Sequence, residues 1–247
     1  MPVSLRKLAP LPRSFFSRDP REVARELLGK LLIRFDAASR TAGPHPKAGG
    51  PHPPYFGECG EDKRPDSALL LAGRIVEAEA YLGAVDPGAH SYRGQTPRNA
   101  VLFGPPGHAY IYFIYGNHYC TNVSCRAEGE SGGVLLRALE PVAGIEQMAA
   151  LRNITLPSTP RPSHLRLLTS GPGRLSQALA ITRAEHNDVD LCSASSSLYI
   201  ATDDTPLPPS LATPRINVTS APHDLWRYII PDNPFVSGPR STNAPTI

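Results

Sequence analysis

Lysine is nearly missing from this chain: it occurs only as Lys7, Lys30, Lys47 and Lys63. Chemistry through a lysine Schiff base therefore has few amines to draw on, and nearly all the positive charge is arginine. Cysteine is equally sparse. Cys59, Cys120, Cys125 and Cys192 form no C-x-x-C pair, which removes the zinc ribbon and the dithiol redox motif. Cys120 and Cys125 fall in an apolar, strand-like run and are expected to be buried, reduced and inert. Neither a G-x-G-x-x-G nor a P-loop is present, so NAD and ATP are not indicated. No apolar stretch is long enough to span a bilayer. Met1 to Arg18 is basic and free of acids, like a transit peptide, but it carries three prolines and no secretory apolar region. It is expected to be mature, cytosolic-type sequence.

What is present fits one domain with a sizeable core: 247 residues, 40% of them hydrophobic. A net charge of +3 and a pI near 8.7 suit a polyanionic partner without requiring one. Arginine grips phosphate in bidentate geometry, although a GC-rich coding sequence would leave the same bias.

Residues 18–29 predict a helix, with Asp19 as N-cap, Pro20 at the first position, Glu22 completing a D-x-x-E box and Gly29 as the stop. Leu31 to Phe35 follows as a strand. Residues 38–66 are dominated by glycine, proline and charge and predict a flexible insertion rather than a domain boundary. Strands are expected at 69–81, 108–115, 118–125, 132–139, 197–201, 214–219 and 225–230, and helices at 143–152 and 172–181. The tail after Ser237 is expected to be disordered. This order predicts a single mixed α/β domain whose curved, largely antiparallel sheet is flanked by helices and carries a protruding hairpin.

Five segments carry candidate chemistry. In Gly73 to Tyr81, period two places Val76, Ala78 and Ala80 on one face and Glu77, Glu79 and Tyr81 on the other. A carboxylate beside aromatic rings suits a general base; a solvated outer face with ordinary surface acids fits the same pattern. His90 to Asn99 is polar and loop-like, and its Arg93, Thr96 and Arg98 suit phosphate contacts as well as plain solvation. The hairpin from His108 to Val123 gathers tyrosines around Gly116-Asn117, with Tyr115 at the tip. Such a tip can wedge between stacked bases, or its tyrosines can anchor a core. The strand from Gly132 to Pro141 is apolar except for Arg137 and Glu140, and a charge in such a run has a partner or a task. The turn Gly171-Pro172-Gly173 opens a helix whose amides suit a phosphate.

Together these segments resemble the alkyladenine (3-methyladenine) DNA glycosylase family. The likeness runs from Leu11 to Ser237, broken at 38–66, and is most specific in Arg74 to Gly83, Gln95 to Asn99, Tyr112 to Asn122, Val134 to Pro141 and Ser170 to Ile181. The resemblance implies an enzyme that flips alkylated or deaminated purines from double-stranded DNA and hydrolyses the N-glycosidic bond. It implies Glu79 as the residue activating water, with Arg137 holding the water and a nearby phosphate. Tyr81, His90 and Tyr112 match the residues that sandwich the flipped base, and Asn122 the side chain that crowds the amino group of guanine. Tyr115 matches the residue inserted into the minor groove, and Arg93 and Thr96 match contacts to the DNA backbone. The loop around Tyr92 is one residue shorter than in some relatives.

No cofactor or metal is implied, and a monomer is expected, cytoplasmic at the nucleoid in a prokaryote or nuclear in a eukaryote. The lysines all precede the pocket, and Pro2, the other amine of note, lacks a following acid, so hydrolysis without lyase activity is expected. A non-catalytic module binding damaged nucleic acid on the same fold would keep Tyr115 and the arginines but have no use for Glu79. A zinc nucleobase deaminase needs H-x-E and P-C-x-x-C, which are absent. One geometric condition follows. A two-residue Gly116-Asn117 turn would pair Tyr112 with Thr121 and put Tyr112 and Asn122 on opposite faces. Both can line one pocket only if the register shifts by one, through a three-residue turn or a bulge.

Overall fold

The computed structural model describes residues 5, 8–35, 70–114, 116 and 118–239. The expected insertion at 38–66, Cys59, Tyr115, Pro2 and the tail from residue 240 lie outside the described residues. In chain order the elements are α1 (Arg13–Phe16), α2 (Pro20–Leu27), β1 (Leu31–Phe35), β2 (Leu70–Tyr81), β3 (Ala109–Ile114), β4 (His118–Ser124) and β5 (Gly133–Ala143). They continue with α3 (Ile145–Leu151), α4 (Pro162–Thr169), α5 (Pro172–Ala178), α6 (Arg183–His186), β6 (Leu198–Ala201), β7 (Leu211–Thr213) and β8 (Arg227–Ile229).

Helix α2 forms where the capping residues predict it, with a variation. The Asp19 carboxylate accepts from the Arg21 N–H at 2.8 Å and from the Arg21 guanidinium, so it serves the second helical residue and its side chain rather than a box with Glu22. Val23, Ala24 and Leu27 are buried, the stripe expected of a helix lying on a sheet. Gly29 ends it at φ +83°, a conformation open to glycine at little cost, and its N–H donates to the Ile75 carbonyl of β2.

Among the described residues every strand pairing is antiparallel, and β2 organises the sheet. β5 runs along one edge of it, while β1 takes Leu70 to Arg74 and β8 takes Glu77 to Glu79 along the other. The path β3-β4-β5-β2-β1-β6 completes the sheet, with β7 added beyond β8. Leu27, Ile75, Ala78, Ala80, Leu136, Leu139 and Leu175 fill the main core between one face and the helices.

Two irregularities set the other face. Ile75 lies opposite Leu139 and Glu77 opposite Ala138, so Val76 has no counterpart on β5. Ala78 then lies opposite Leu136, so Arg137 has none on β2. The extra residue on each strand puts neighbours onto the same side. Val76 consequently leaves the company of Ala78 and Ala80, where simple alternation placed it, and joins a separate cluster with Ala138, Ile229, Phe235 and Val236. Ile75 takes its place in the main core.

The hairpin meets its geometric condition. Ile114 lies opposite His118, Tyr112 opposite Cys120 and Tyr110 opposite Asn122, a register with three residues of sequence between the last paired positions. Tyr110, Tyr112, Cys120 and Asn122 therefore share a face. On the other face Thr121 bonds Ser176 of α5 at 2.9 Å. The strand expected at 214–219 is displaced: β7 ends at Thr213, because Pro214 has no N–H to continue a ladder, and Asn217 turns the chain at φ +62°. The short helices α1, α4 and α6 have no counterpart in the expected elements.

Candidate active site

Glu77 and Glu79 leave the apolar face of β2, and neither is solvated: both are 0% exposed. Buried carboxylates need partners, and these have them. Glu79 Oε2 accepts from the Tyr81 hydroxyl at 2.9 Å and from Arg137 Nη1 at 3.3 Å, while Oε1 accepts from the Ile216 N–H at 2.8 Å. Of the roughly four lone-pair directions of a carboxylate, one remains to accept from a water. Glu77 also takes three donors, two of them arginine guanidinium groups. Its Oε1 takes Arg137 Nε at 2.9 Å and Arg227 Nε at 2.6 Å, and its Oε2 takes the Ser237 N–H at 2.7 Å. Burial pushes its pKa up, but Arg137 and Arg227 outweigh that and hold it below the ordinary value of 4.5. Arg137 thus bridges the two acids, its lone place in an apolar strand explained by both.

Tyr81 and Tyr112 separate two cavities. The first is lined by Tyr81, His90, Tyr110, Tyr112 and Asn122 among others. The second lies against Tyr81, Tyr112, Cys120, Arg137, Arg174 and Ile216. Burial, and then the neighbouring Glu79, raise the Tyr81 phenol well above its ordinary pKa, so it stays protonated and donates to Glu79. Burial likewise raises Tyr112. His90 sits at the mouth with Nδ1 3.1 Å from the Tyr110 hydroxyl; burial, and next Arg98, lower its pKa below 6.5. Asn122 donates to the Tyr110 carbonyl at 3.0 Å, which fixes which end of its amide points away.

Six of the residues singled out in the sequence, Glu79, Tyr81, His90, Tyr112, Asn122 and Arg137, come together here. The expected sandwich differs in detail. His90 meets Tyr112 edge-on, centroids 4.5 Å apart at 71°, whereas a base between two faces needs about 7 Å, twice a van der Waals contact. Arg93 and Thr96 are exposed on the loop after His90, where Asn99 ties the loop by bonds to the Thr96 N–H and to the His90 and Gly94 carbonyls. Tyr115 lies outside the described residues. At the turn before α5, the Gly171 N–H is spent on the Arg137 carbonyl. Among the described residues no cluster of His, Cys, Asp and Glu could hold a metal, and no helix is long and apolar enough to cross a membrane.

Residues 63–234 match the family model described as methylpurine-DNA glycosylase. The chain belongs to the methylpurine-DNA glycosylase family. It is 50% identical over 237 residues to a protein of Koribacter versatilis, covering 96% of this chain and 97% of that one. A Burkholderia lata protein is 42% identical over 232 residues, 94% of this chain and 92% of its own. One from Alkaliphilus oremlandii is 36% identical over 231 residues, 92% and 98%. Each is named, provisionally, a 3-methyladenine DNA glycosylase.

The sequence motifs did not point to every residue of the glycosylase site. Asp86 and Arg215, both buried, pair in a fork at 2.6 and 2.8 Å, and Arg215 stacks on Tyr81. Asp86 sits in an ordinary-looking turn and Arg215 in a stretch taken for a strand. Gly88 marks how closely these parts approach: a Cβ there would stand 2.6 Å from Val218 Cγ1 and 3.0 Å from Arg215 Nη2. Gly88→Ala is expected to cost about 1–3 kcal/mol through overpacking, measured as a lower denaturation midpoint against an unchanged slope.

Proposed function

We propose that this glycosylase flips alkylated or deaminated purines, of the 3-methyladenine, 7-methylguanine and hypoxanthine type, out of duplex DNA and hydrolyses the N-glycosidic bond to leave an abasic site. One observation carries the proposal: the buried carboxylate of Glu79, held by three donors with one lone-pair direction left, stands beside a ring-lined cavity through the Tyr81 hydroxyl. A water accepted by Glu79 attacks C1′ of the deoxyribose and gives its proton to the carboxylate, and the C1′–N bond electrons leave with the base. The carboxylate also stabilises the positive charge that develops on the sugar. An N3- or N7-alkylated purine is cationic beforehand and departs neutral. Tyrosine faces favour such electron-poor rings by cation–π attraction.

In this proposal Tyr81, His90 and Tyr112 hold the extruded base, with either the seat against Tyr81 or a swing of the His90 ring making room. Asn122 crowds the guanine amino group, Arg137 holds the water and a phosphate, and Arg93 and Thr96 touch the DNA backbone. Tyr115 fills the gap left in the duplex. The protein works as a monomer.

The test is incubation with duplexes carrying methylated purines or hypoxanthine, followed by identification of the released base. Free base and an alkali-labile site are expected; tight binding without release would instead favour a damage-binding module. Hydrolysis without a Schiff base further predicts that borohydride traps no covalent adduct on lesion DNA, and a trapped adduct would refute the monofunctional assignment.

A further inference from the structure

Arg215 is among the least accessible charges in the protein; its side chain and that of Asp86 are both 0% exposed. The carboxylate of Asp86 takes Arg215 Nη1 at 2.6 Å and Nη2 at 2.8 Å, and Nη1 also reaches the Ala80 carbonyl at 3.1 Å. The same carboxylate accepts from the Leu82 and Gly88 N–H groups at 3.0 and 2.9 Å, so it also fixes the start of the loop that carries His90. The guanidinium carbon lies over two rings, 4.7 Å from the centroid of Tyr81 and 4.8 Å from that of Trp226. The next residue, Ile216, donates its N–H to Glu79 at 2.8 Å. One residue pair thus touches the ring that bonds Glu79 and leads directly into the amide that bonds its other oxygen.

We propose that the buried Asp86–Arg215 pair is a positioning device for the reaction, setting the Tyr81 ring and the Ile216 amide against Glu79 so that the carboxylate keeps one direction free for water. This rests on the catalytic role proposed above for Glu79. Arginine is required rather than any cation, because only a planar guanidinium can fork onto a carboxylate while its delocalised charge lies over aromatic rings. Lysine would keep the charge and lose both. A misplacement of about 1 Å in such a site can lower the rate by about a hundredfold.

The experiment measures single-turnover base release with Arg215→Lys, per molecule competent to bind lesion DNA, beside the affinity for that DNA. Counting only competent molecules separates positioning from folding, since a merely structural role reduces their number and leaves their rate alone. A fall of about 10- to 100-fold in rate, with affinity changed by less than about threefold, supports the proposal. A rate within about twofold of the unaltered protein overturns it. If Arg215→Lys yields no competent protein, Asp86→Asn, which removes the fork's charge and leaves the guanidinium, is judged by the same criteria. Glu79→Gln assayed in parallel keeps the two ideas apart: turnover retained there refutes the catalytic role itself, while loss there with full activity in Arg215→Lys refutes only the positioning role.

Discussion

Glu79→Gln is expected to lower base release by about a thousandfold or more, while binding to lesion-bearing DNA is largely kept. Two effects combine. Removing a positioned base costs about 10²- to 10⁴-fold, and removing the negative charge withdraws electrostatic support from an oxocarbenium-like sugar. Glutamine keeps the volume, so the neighbouring cavity survives. Its amide oxygen can accept from the Ile216 N–H, and its NH₂ can donate to the Tyr81 hydroxyl oxygen, which reverses that bond. The contact with Arg137 Nη1, at 3.3 Å the longest of the three, is lost. Single-turnover kinetics alongside a binding titration distinguish this outcome from a general loss of structure; a rate within tenfold of the unaltered protein would remove Glu79 from the chemistry.

Glu77→Ala is expected to be the most destabilising change in the site, at about 3–5 kcal/mol. Among the described residues the buried charges balance: the carboxylates are Glu77, Glu79 and Asp86, and the guanidinium groups Arg137, Arg215 and Arg227. Removing Glu77 leaves Arg227 at 0% exposure without the carboxylate at 2.6 Å, strands the Ser237 N–H and frees one side of Arg137. The effect depends on pH in a definite direction. The folded-state pKa of Glu77 lies below its ordinary 4.5, so its contribution is complete above that value and drains away as pH falls through the lower folded value. Stability curves of the wild type and Glu77→Gln are therefore expected to converge below about pH 4.5. A gap that stays constant from pH 7 to pH 3 would show that the charge of Glu77 contributes nothing.

Much of this architecture was legible in the residues. The cap and stop of α2, the strand that follows it and the hairpin all follow from local chemistry. Even the hairpin's unusual register followed from requiring Tyr112 and Asn122 to share a wall. The alternation in β2 correctly grouped Glu77, Glu79 and Tyr81, and the lone arginine of β5 announced a partner. Val76 was misplaced because period two has no means of seeing an extra residue whose compensation lies 61 positions away, at Arg137 on another strand. Asp86 and Arg215 were missed for a similar reason. They are 129 residues apart, one in a turn and the other in an irregular segment, and neither shows a period that would draw attention to a buried fork.

The two unmatched residues of β2 and β5 cancel: Ile75 faces Leu139 before them and Ala78 faces Leu136 after them, on the same diagonal. A deletion confined to either strand would slide everything beyond it by one position, turning the glutamates inward and the alanines out. Losing both together would restore a seamless ladder with no place for the Glu77–Arg137 contact. The acid-and-arginine cluster thus hangs on a matched pair of stitches, neither of which can be pulled alone without shifting the ladder beyond it.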